Sequence, residues 1–245
     1  MNQSPRDLLA LALDNVSSME GLSGIVKKTA PFIGVFKIGL EQFTRFGAPA
    51  LEVVRRERRK IFLDLKFHDI PNTVGKAVEA AAGLDVDFLT IHTSGGMAMM
   101  RAAVAAAKTS AGKRPKIIGV TLLTSIDAAA LRSELSVAMG VVDYVRQCAV
   151  NAVEAGLDGI VCSAADLAAV KPLLPSSFSI ITPGIRPAGS SSHDQKRIAT
   201  PEFAIANGAT LLVLGRAVTD ATDPGRAAEE IMQAVKGVVE SHSAT

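Results

Sequence analysis

Eight short apolar runs, separated by segments of helical character, predict an α/β fold: one (β/α)8 TIM barrel spanning residues 1–245 as a single catalytic domain. Three observations carry this reading. The runs lie at 8–14, 34–40, 60–66, 88–93, 116–123, 159–163, 179–185 and 211–218, and strand-like runs alternating with helices indicate repeated βαβ units on a parallel sheet. The length of 245 residues suits one closed barrel, which takes about 250 residues. Polar residues also collect at the C-terminal ends of the runs, where barrels of this kind build their sites.

Taken in order, the first run ends in Asp14, which also suits the cap of a following helix. The second carries Lys37 within Val35-Phe-Lys-Ile-Gly39. Charged residues are rarely buried without a partner, so Lys37 needs carboxylates, and Asp14 and Asp64 are the natural ones. The third run, Ile61-Phe-Leu-Asp-Leu-Lys66, alternates like a strand. Asp64 and Lys66 then project to one face with Cα atoms roughly 6.6 Å apart. Asp69 follows just before Pro71, and Asn72 or Thr73 is expected to cap a helix over 74–82. The fourth run ends in His92, read as a hydrogen-bonded core histidine outside the chemistry, and an alanine-rich helix follows at 97–108.

The fifth run leads into Thr124-Ser125, of which Thr124 also suits a cap. A helix over 141–155 ends at Gly156, a natural C-terminal residue for a helix. The seventh run ends in Pro183-Gly-Ile-Arg186 and the eighth in Gly215-Arg216, with a closing helix over 227–238. Loops after strands seven and eight of such barrels often bind phosphate, and arginine suits bidentate phosphate contact. Arg216 has a plainer role open to it, pairing with Asp220 or Asp223. The stretch 187–196, with one glycine and three serines before Gln195, is expected to be a lid closing over the phosphate.

The densest chemistry lies in Asp64-Leu-Lys-Phe-His-Asp69. An anion–cation–anion array at a strand end reads either as a surface salt bridge, worth about 0–1 kcal/mol, or as a catalytic array in which Lys66 carries a proton. The polar residues at so many other strand ends favour the second.

Composition narrows the classes. The net charge is only +2, with one tyrosine and no tryptophan, which argues against nucleic-acid binding by stacking. The basic stretch 55–60 reads as a solvated helix end. Cys148 and Cys162 form no CxxC pair and sit in apolar surroundings, so they are expected to be small core residues. No secretory leader and no membrane-spanning run is evident, so the expected address is the cytoplasm.

The stretch Phe62-Leu-Asp-Leu-Lys-Phe-His-Asp-Ile-Pro-Asn-Thr73 resembles the signature of the orotidine 5′-phosphate decarboxylases, Asp-x-Lys-x-x-Asp-Ile-Pro-x-Thr. Pro183-Gly-Ile-Arg186, Asp194-Gln195-Lys-Arg197 and Val213-Leu-Gly-Arg216 extend the likeness from Asp14 to Arg216, in the pattern of the stand-alone bacterial-type enzyme. The resemblance implies loss of CO2 from orotidine 5′-phosphate to give UMP, without metal or other cofactor. It implies that Lys66 protonates C6 within a network of Asp64, Lys37 and Asp69. Asp14 and Lys37 would bind the ribose, Thr124 the pyrimidine edge, and Arg186, Gln195, Gly215 and Arg216 the phosphate. Asp69, Ile70 and Thr73 would reach into the neighbouring subunit's site, making a homodimer the active unit. Two other readings stay open: a metal-dependent sugar-phosphate enzyme using His68, Asp69 and His92, and a non-catalytic nucleotide-binding module.

Overall fold

The computed structural model describes residues 4–109, 112–186 and 199–243. Strands β1 (Leu9–Ala12), β2 (Val35–Gly39), β3 (Lys60–Phe67), β4 (Phe88–His92), β5 (Lys116–Val120), β6 (Gly159–Val161), β7 (Ser179–Thr182) and β8 (Leu211–Leu214) form one closed parallel barrel. Closure comes from β1 pairing with β8 through Leu9↔Leu212 and Leu11↔Leu214. Between the strands run α1 (Met19–Thr29), α2 (Leu40–Phe46), α3 (Pro49–Arg56), α4 (Pro71–Ala82), α5 (Gly96–Thr109), α6 (Ala128–Ser133) and α7 (Val141–Glu154). They are followed by α8 (Leu167–Val170), α9 (Pro201–Ala206), α10 (Arg216–Thr219) and α11 (Pro224–Ser243).

The period-two alternation of the strands divides the core in two. Ala10, Ala12, Val35, Phe62, Ile118, Ile181 and Val213 fill the barrel interior, whereas Leu9, Leu11, Phe36, Ile38, Ile61 and Leu63 pack outward against the helices. Small Ala10 and Ala12 leave room for Phe62, whose ring meets Phe88 with centroids 5.8 Å apart. Gly159 is a steric requirement of this packing: a Cβ there would lie 2.4 Å from the Ser179 carbonyl oxygen.

The helices bury the faces their spacing dictates. In α7, Val145, Cys148, Ala149 and Ala152 are buried at steps of three, one and three. Gly156, at φ +80°, follows its end as expected. Cys148 and Cys162 are free and buried, and burial pushes the Cys162 thiol up to about 12.

Among the boundaries that differ from the sequence reading, four lie at the C-terminal mouth and bear on the site. β5 ends at Val120 and β7 at Thr182, each three residues before its apolar run gives out. The eighth run, expected to extend to 218, stops at Leu214, and Arg216 opens α10. Apolar residues past the strand ends cover the mouth instead of continuing the ladder. Helix α4 starts at Pro71, so neither Asn72 nor Thr73 is its cap. Proline lacks an N–H and has φ preset for the helix, which makes it suited to the first turn. Ile70 occupies the cap position with no side-chain hydrogen bond.

Candidate active site

The mouth of the barrel holds a cavity of about 450 Å³. Its floor is apolar, built from Ala12, Phe62, Val120, Val161, Ile181 and Val213. Its polar lining collects Asp14, Lys37, Asp64 and Lys66 from the ends of β1 to β3, Thr124 after β5, and Arg186, Gly215 and Arg216 after β7 and β8. Eight of the twelve residues expected in the site therefore line one cavity, contributed by strands or loops far apart in sequence.

The charged wall is a chain of alternating sign. Lys37 Nζ donates to both oxygens of Asp14 at 3.3 Å and lies 3.3 Å from Asp64 Oδ2. Lys66 Nζ donates to the same Asp64 oxygen at 2.7 Å. The Lys37 and Asp64 side chains are 10% and 8% exposed, and Lys66 is 28% exposed. Removing these charges from water is costly, and only a complete partner set offsets it. Burial acts most strongly on Asp64 and opposes its ionisation, but Lys37, Lys66 and the hydrogen bonds from Lys66 and Thr90 together outweigh it. The carboxyl is held below the ordinary carboxylate value.

Local structure brings Lys66 to Asp64 by a route other than plain alternation. The register of β3 against β4 shifts, with Leu63 opposite Leu89 but Phe67 opposite Ile91. Lys66 sits at φ +50°, a left-handed conformation that costs a residue with a Cβ about 1–2 kcal/mol. Strain of this kind persists where the surroundings over-determine it and clusters at functional sites.

Asp69, Ile70 and Thr73 are exposed and do not line the cavity of their own chain. Asp69 Oδ1 accepts from the Ile70 N–H at 2.6 Å. The expected Asp64–Lys66–Asp69 array is therefore not assembled within one chain: the turn into α4 carries Asp69 outward. Gln195 and the expected lid at 187–196 lie outside the described residues. Arg186, which lines the cavity, donates from its backbone N–H to Ala199 O at 3.0 Å.

His92 stays out of the cavity lining, as expected, and its ring stacks on His68 with centroids 5.3 Å apart. Burial first, then His68 and Lys66, push the His92 imidazole below its ordinary value, with Asp64 opposing. Among the described residues no three His, Cys, Asp or Glu side chains are grouped as metal ligands. No described helix is long and apolar enough to cross a membrane.

Two contributors to the site escaped the sequence reading. Gly39 backs the Lys37–Asp14 pair, since a Cβ there would lie 2.9 Å from Asp14 Oδ1 and 3.1 Å from Lys37 Nζ. A glycine ending an apolar strand beside a buried lysine was the available signal. Thr90, fully buried on β4, donates from Oγ1 to Asp64 Oδ1 at 2.9 Å. Nothing local marks it, because its partners are 24 and 26 residues away.

A closed parallel barrel whose mouth gathers an acid-flanked lysine and two arginines from the seventh and eighth strand ends defines a class: a (β/α)8 enzyme that handles a small anionic ligand at its strand ends. Comparison with known proteins narrows the class. Residues 7–231 match the model of the orotidine 5′-phosphate decarboxylase / HUMPS family, and the chain belongs to that family. It is 43% identical over 237 residues to the orotidine 5′-phosphate decarboxylase of Moorella thermoacetica, covering 95% of this chain and 94% of that one. It is 47% identical over 236 residues to the enzyme of the same name from Dichelobacter nodosus, covering 95% and 99%. The crystal structure of orotidine 5′-phosphate decarboxylase from Lactobacillus acidophilus superimposes with a TM-score of 0.80 at 33% identity, over 96% of this chain and 99% of that one.

Proposed function

We propose that this chain, as a single catalytic domain, decarboxylates orotidine 5′-phosphate to UMP and CO2, the last step of pyrimidine nucleotide synthesis. The carrying observation is the Lys66 ammonium, 2.7 Å from Asp64 in a cavity that Arg186 and Arg216 also line. The C6–carboxylate bond breaks, CO2 departs, and its electron pair stays on C6. Lys66 Nζ delivers a proton to that carbon, and solvent returns one to the amine.

Fixed charge supplies the rate enhancement. A cation about 4 Å from the developing carbanion is worth roughly 4 kcal/mol at an effective dielectric near 20. It is held in place before the reaction, so no reorganisation cost falls on the transition state. Asp64 holds the Lys66 ammonium in place and sits near the departing carboxylate. Asp14 and Lys37 take the ribose hydroxyls and Thr124 the pyrimidine edge. Arg186, Gln195, Gly215 and Arg216 hold the phosphate, whose binding energy organises the distant reacting centre. Every proton and charge in this scheme comes from the chain, the substrate or water. Nucleic acid and membrane play no part, and the cytoplasm is the working compartment.

The test is a UV assay of purified, EDTA-treated protein with orotidine 5′-phosphate. Turnover that survives chelation is expected. Activity recovered only with added divalent metal would move the chain to the metal-dependent sugar-phosphate branch, and no turnover in either condition would reject the assignment.

The active unit is a homodimer in which Asp69, Ile70 and Thr73 of each subunit complete the other subunit's site. Their outward placement supports this reading, with Ile70 66% exposed and Leu40 55% exposed at the same end of the barrel. In a two-fold dimer, Lys66→Ala and Asp69→Ala variants fail at different halves of a shared site. Mixing and re-equilibrating the two inactive proteins should restore about a quarter of wild-type activity, because half the dimers are mixed and each carries one intact site. Mixed dimers that form, as judged by native mass spectrometry, yet remain inactive would show that each site is built from one chain.

A further inference from the structure

We propose that Thr90 is a positioning residue for the reaction: its hydroxyl locks the Asp64 carboxylate and the Lys66 backbone together, so the ammonium is presented at a fixed point in the cavity. This rests on the reading that Lys66 and Asp64 carry the chemistry. The geometry forms a closed ring of three hydrogen bonds. The Lys66 backbone N–H donates to Thr90 Oγ1 at 2.9 Å, that hydroxyl donates to Asp64 Oδ1 at 2.9 Å, and Lys66 Nζ donates to Asp64 Oδ2 at 2.7 Å. A hydroxyl has one proton to give and lone pairs to accept with, so both of its bonds are satisfied in one orientation. Bonds joined head to tail in a buried setting reinforce one another.

The strand ladder shows why a side chain is needed there. Leu63 faces Leu89 and Phe67 faces Ile91, so three residues of β3, Asp64 to Lys66, stand against Thr90 alone. At the bulge the Lys66 N–H is taken by the threonine hydroxyl. That bond also holds Lys66 at φ +50°, where its side chain can turn back onto Asp64. Without the hydroxyl, relaxing the strained backbone would swing the ammonium into the open cavity. Thr90 is 0% exposed and does not itself line the cavity, so it acts only through its two partners.

Thr90→Val keeps the shape and removes the hydroxyl, and Thr90→Ser keeps the hydroxyl. With orotidine 5′-phosphate as substrate, Thr90→Val should lower kcat about tenfold or more with a smaller change in KM, and Thr90→Ser should restore most of it. The pH profile gives a readout that a purely structural role would not move. Asp64 is faced by Lys37 from β2, Lys66 from β3 and His92 from β4, with Asp14 after β1 reaching it through Lys37. Thr90→Val removes a donor to the ionised carboxylate and loosens the Lys66 ammonium that faces it, while the other groups stay; both losses disfavour the ionised form. The acid limb of kcat should therefore move to higher pH in Thr90→Val and return in Thr90→Ser.

A Thr90→Val enzyme with kcat within twofold of wild type and an unmoved acid limb overturns the proposal. So does a loss that Thr90→Ser fails to restore. If Thr90→Val does not fold, Thr90→Ala answers the same question, and if neither folds while Thr90→Ser does, the hydroxyl serves the barrel and the positioning role is rejected. Lys66→Ala measured alongside separates the two layers. Near-normal turnover there rejects the catalytic lysine itself, whereas an inactive Lys66→Ala beside an indifferent Thr90→Val rejects only the role of Thr90.

Discussion

Lys66→Ala is expected to lower kcat on orotidine 5′-phosphate by about a thousandfold or more, the largest single effect in this protein. Two contributions vanish together. The fixed positive charge beside the developing carbanion, about 4 kcal/mol at an effective dielectric near 20, corresponds alone to roughly three orders of magnitude in rate. The positioned proton donor, worth about 10²–10⁴, is lost with it. The two act through one group and will not simply multiply. Lys66→Arg distinguishes them: guanidinium keeps the charge but does not release a proton at working pH. A variant that recovers part of the rate would assign that part to charge. Steady-state turnover on protein shown to be folded by circular dichroism measures both. A Lys66→Ala enzyme within tenfold of wild type would remove the lysine from the mechanism.

Replacing Asp64 by asparagine should produce the next largest loss, about 10²–10³ in kcat, comparable to deleting one preorganised group from a catalytic site. The substitution keeps the size of the side chain and leaves Lys37 and Lys66 facing each other with no carboxylate between them. Asp14, 46% exposed, remains for Lys37 alone. Lys66 then loses the carboxylate that holds its ammonium at 2.7 Å, so the direction of the side chain suffers.

The same variant carries a signature in stability. The folded-state pKa of Asp64 lies below its unfolded value: burial, the largest single influence, raises it, but Lys37, Lys66 and Thr90 together lower it by more. A depressed carboxylate contributes stability that is present above the unfolded pKa of about 4 and is lost as pH falls through the folded value. Thermal melting followed from neutral pH down through that window should therefore fall less steeply in Asp64→Asn than in wild type. Parallel melting curves, or turnover near wild type, would show that Asp64 is neither held ionised nor needed.

Much of this could be read from the chain before folding was considered. The (β/α)8 barrel was legible because strand runs such as Val35-Phe-Lys-Ile-Gly39 and Ile61-Phe-Leu-Asp-Leu-Lys66 are local patterns. Burial of Lys37 between Asp14 and Asp64 was legible for an energetic reason, since an ammonium inside an apolar strand has to find carboxylates. Strand ends were less accessible. Leu123 and Ile185 continue the apolar runs past β5 and β7, and only the geometry of the barrel mouth decides that they line a cavity instead of extending a ladder.

The pairing of Asp64 with Lys66 shows the division most clearly. The two-residue spacing alone predicted a shared face. In the folded chain the sheet register slips between Leu63 and Phe67, and Lys66 takes a left-handed backbone. The contact survives because Thr90, 24 residues further on, anchors both ends.

By itself the sequence determined the residue types, their order and the periodicity that makes eight parallel strands close on one another. Tertiary structure alone decided that Thr90 meets Asp64, that Gly39 clears space for Lys37, and that Asp69 points away from its own cavity. The physical reason is range. Periodicity and chain stiffness act over a few residues, whereas hydrogen bonds across a bulged register depend on strands brought together only when the barrel closes.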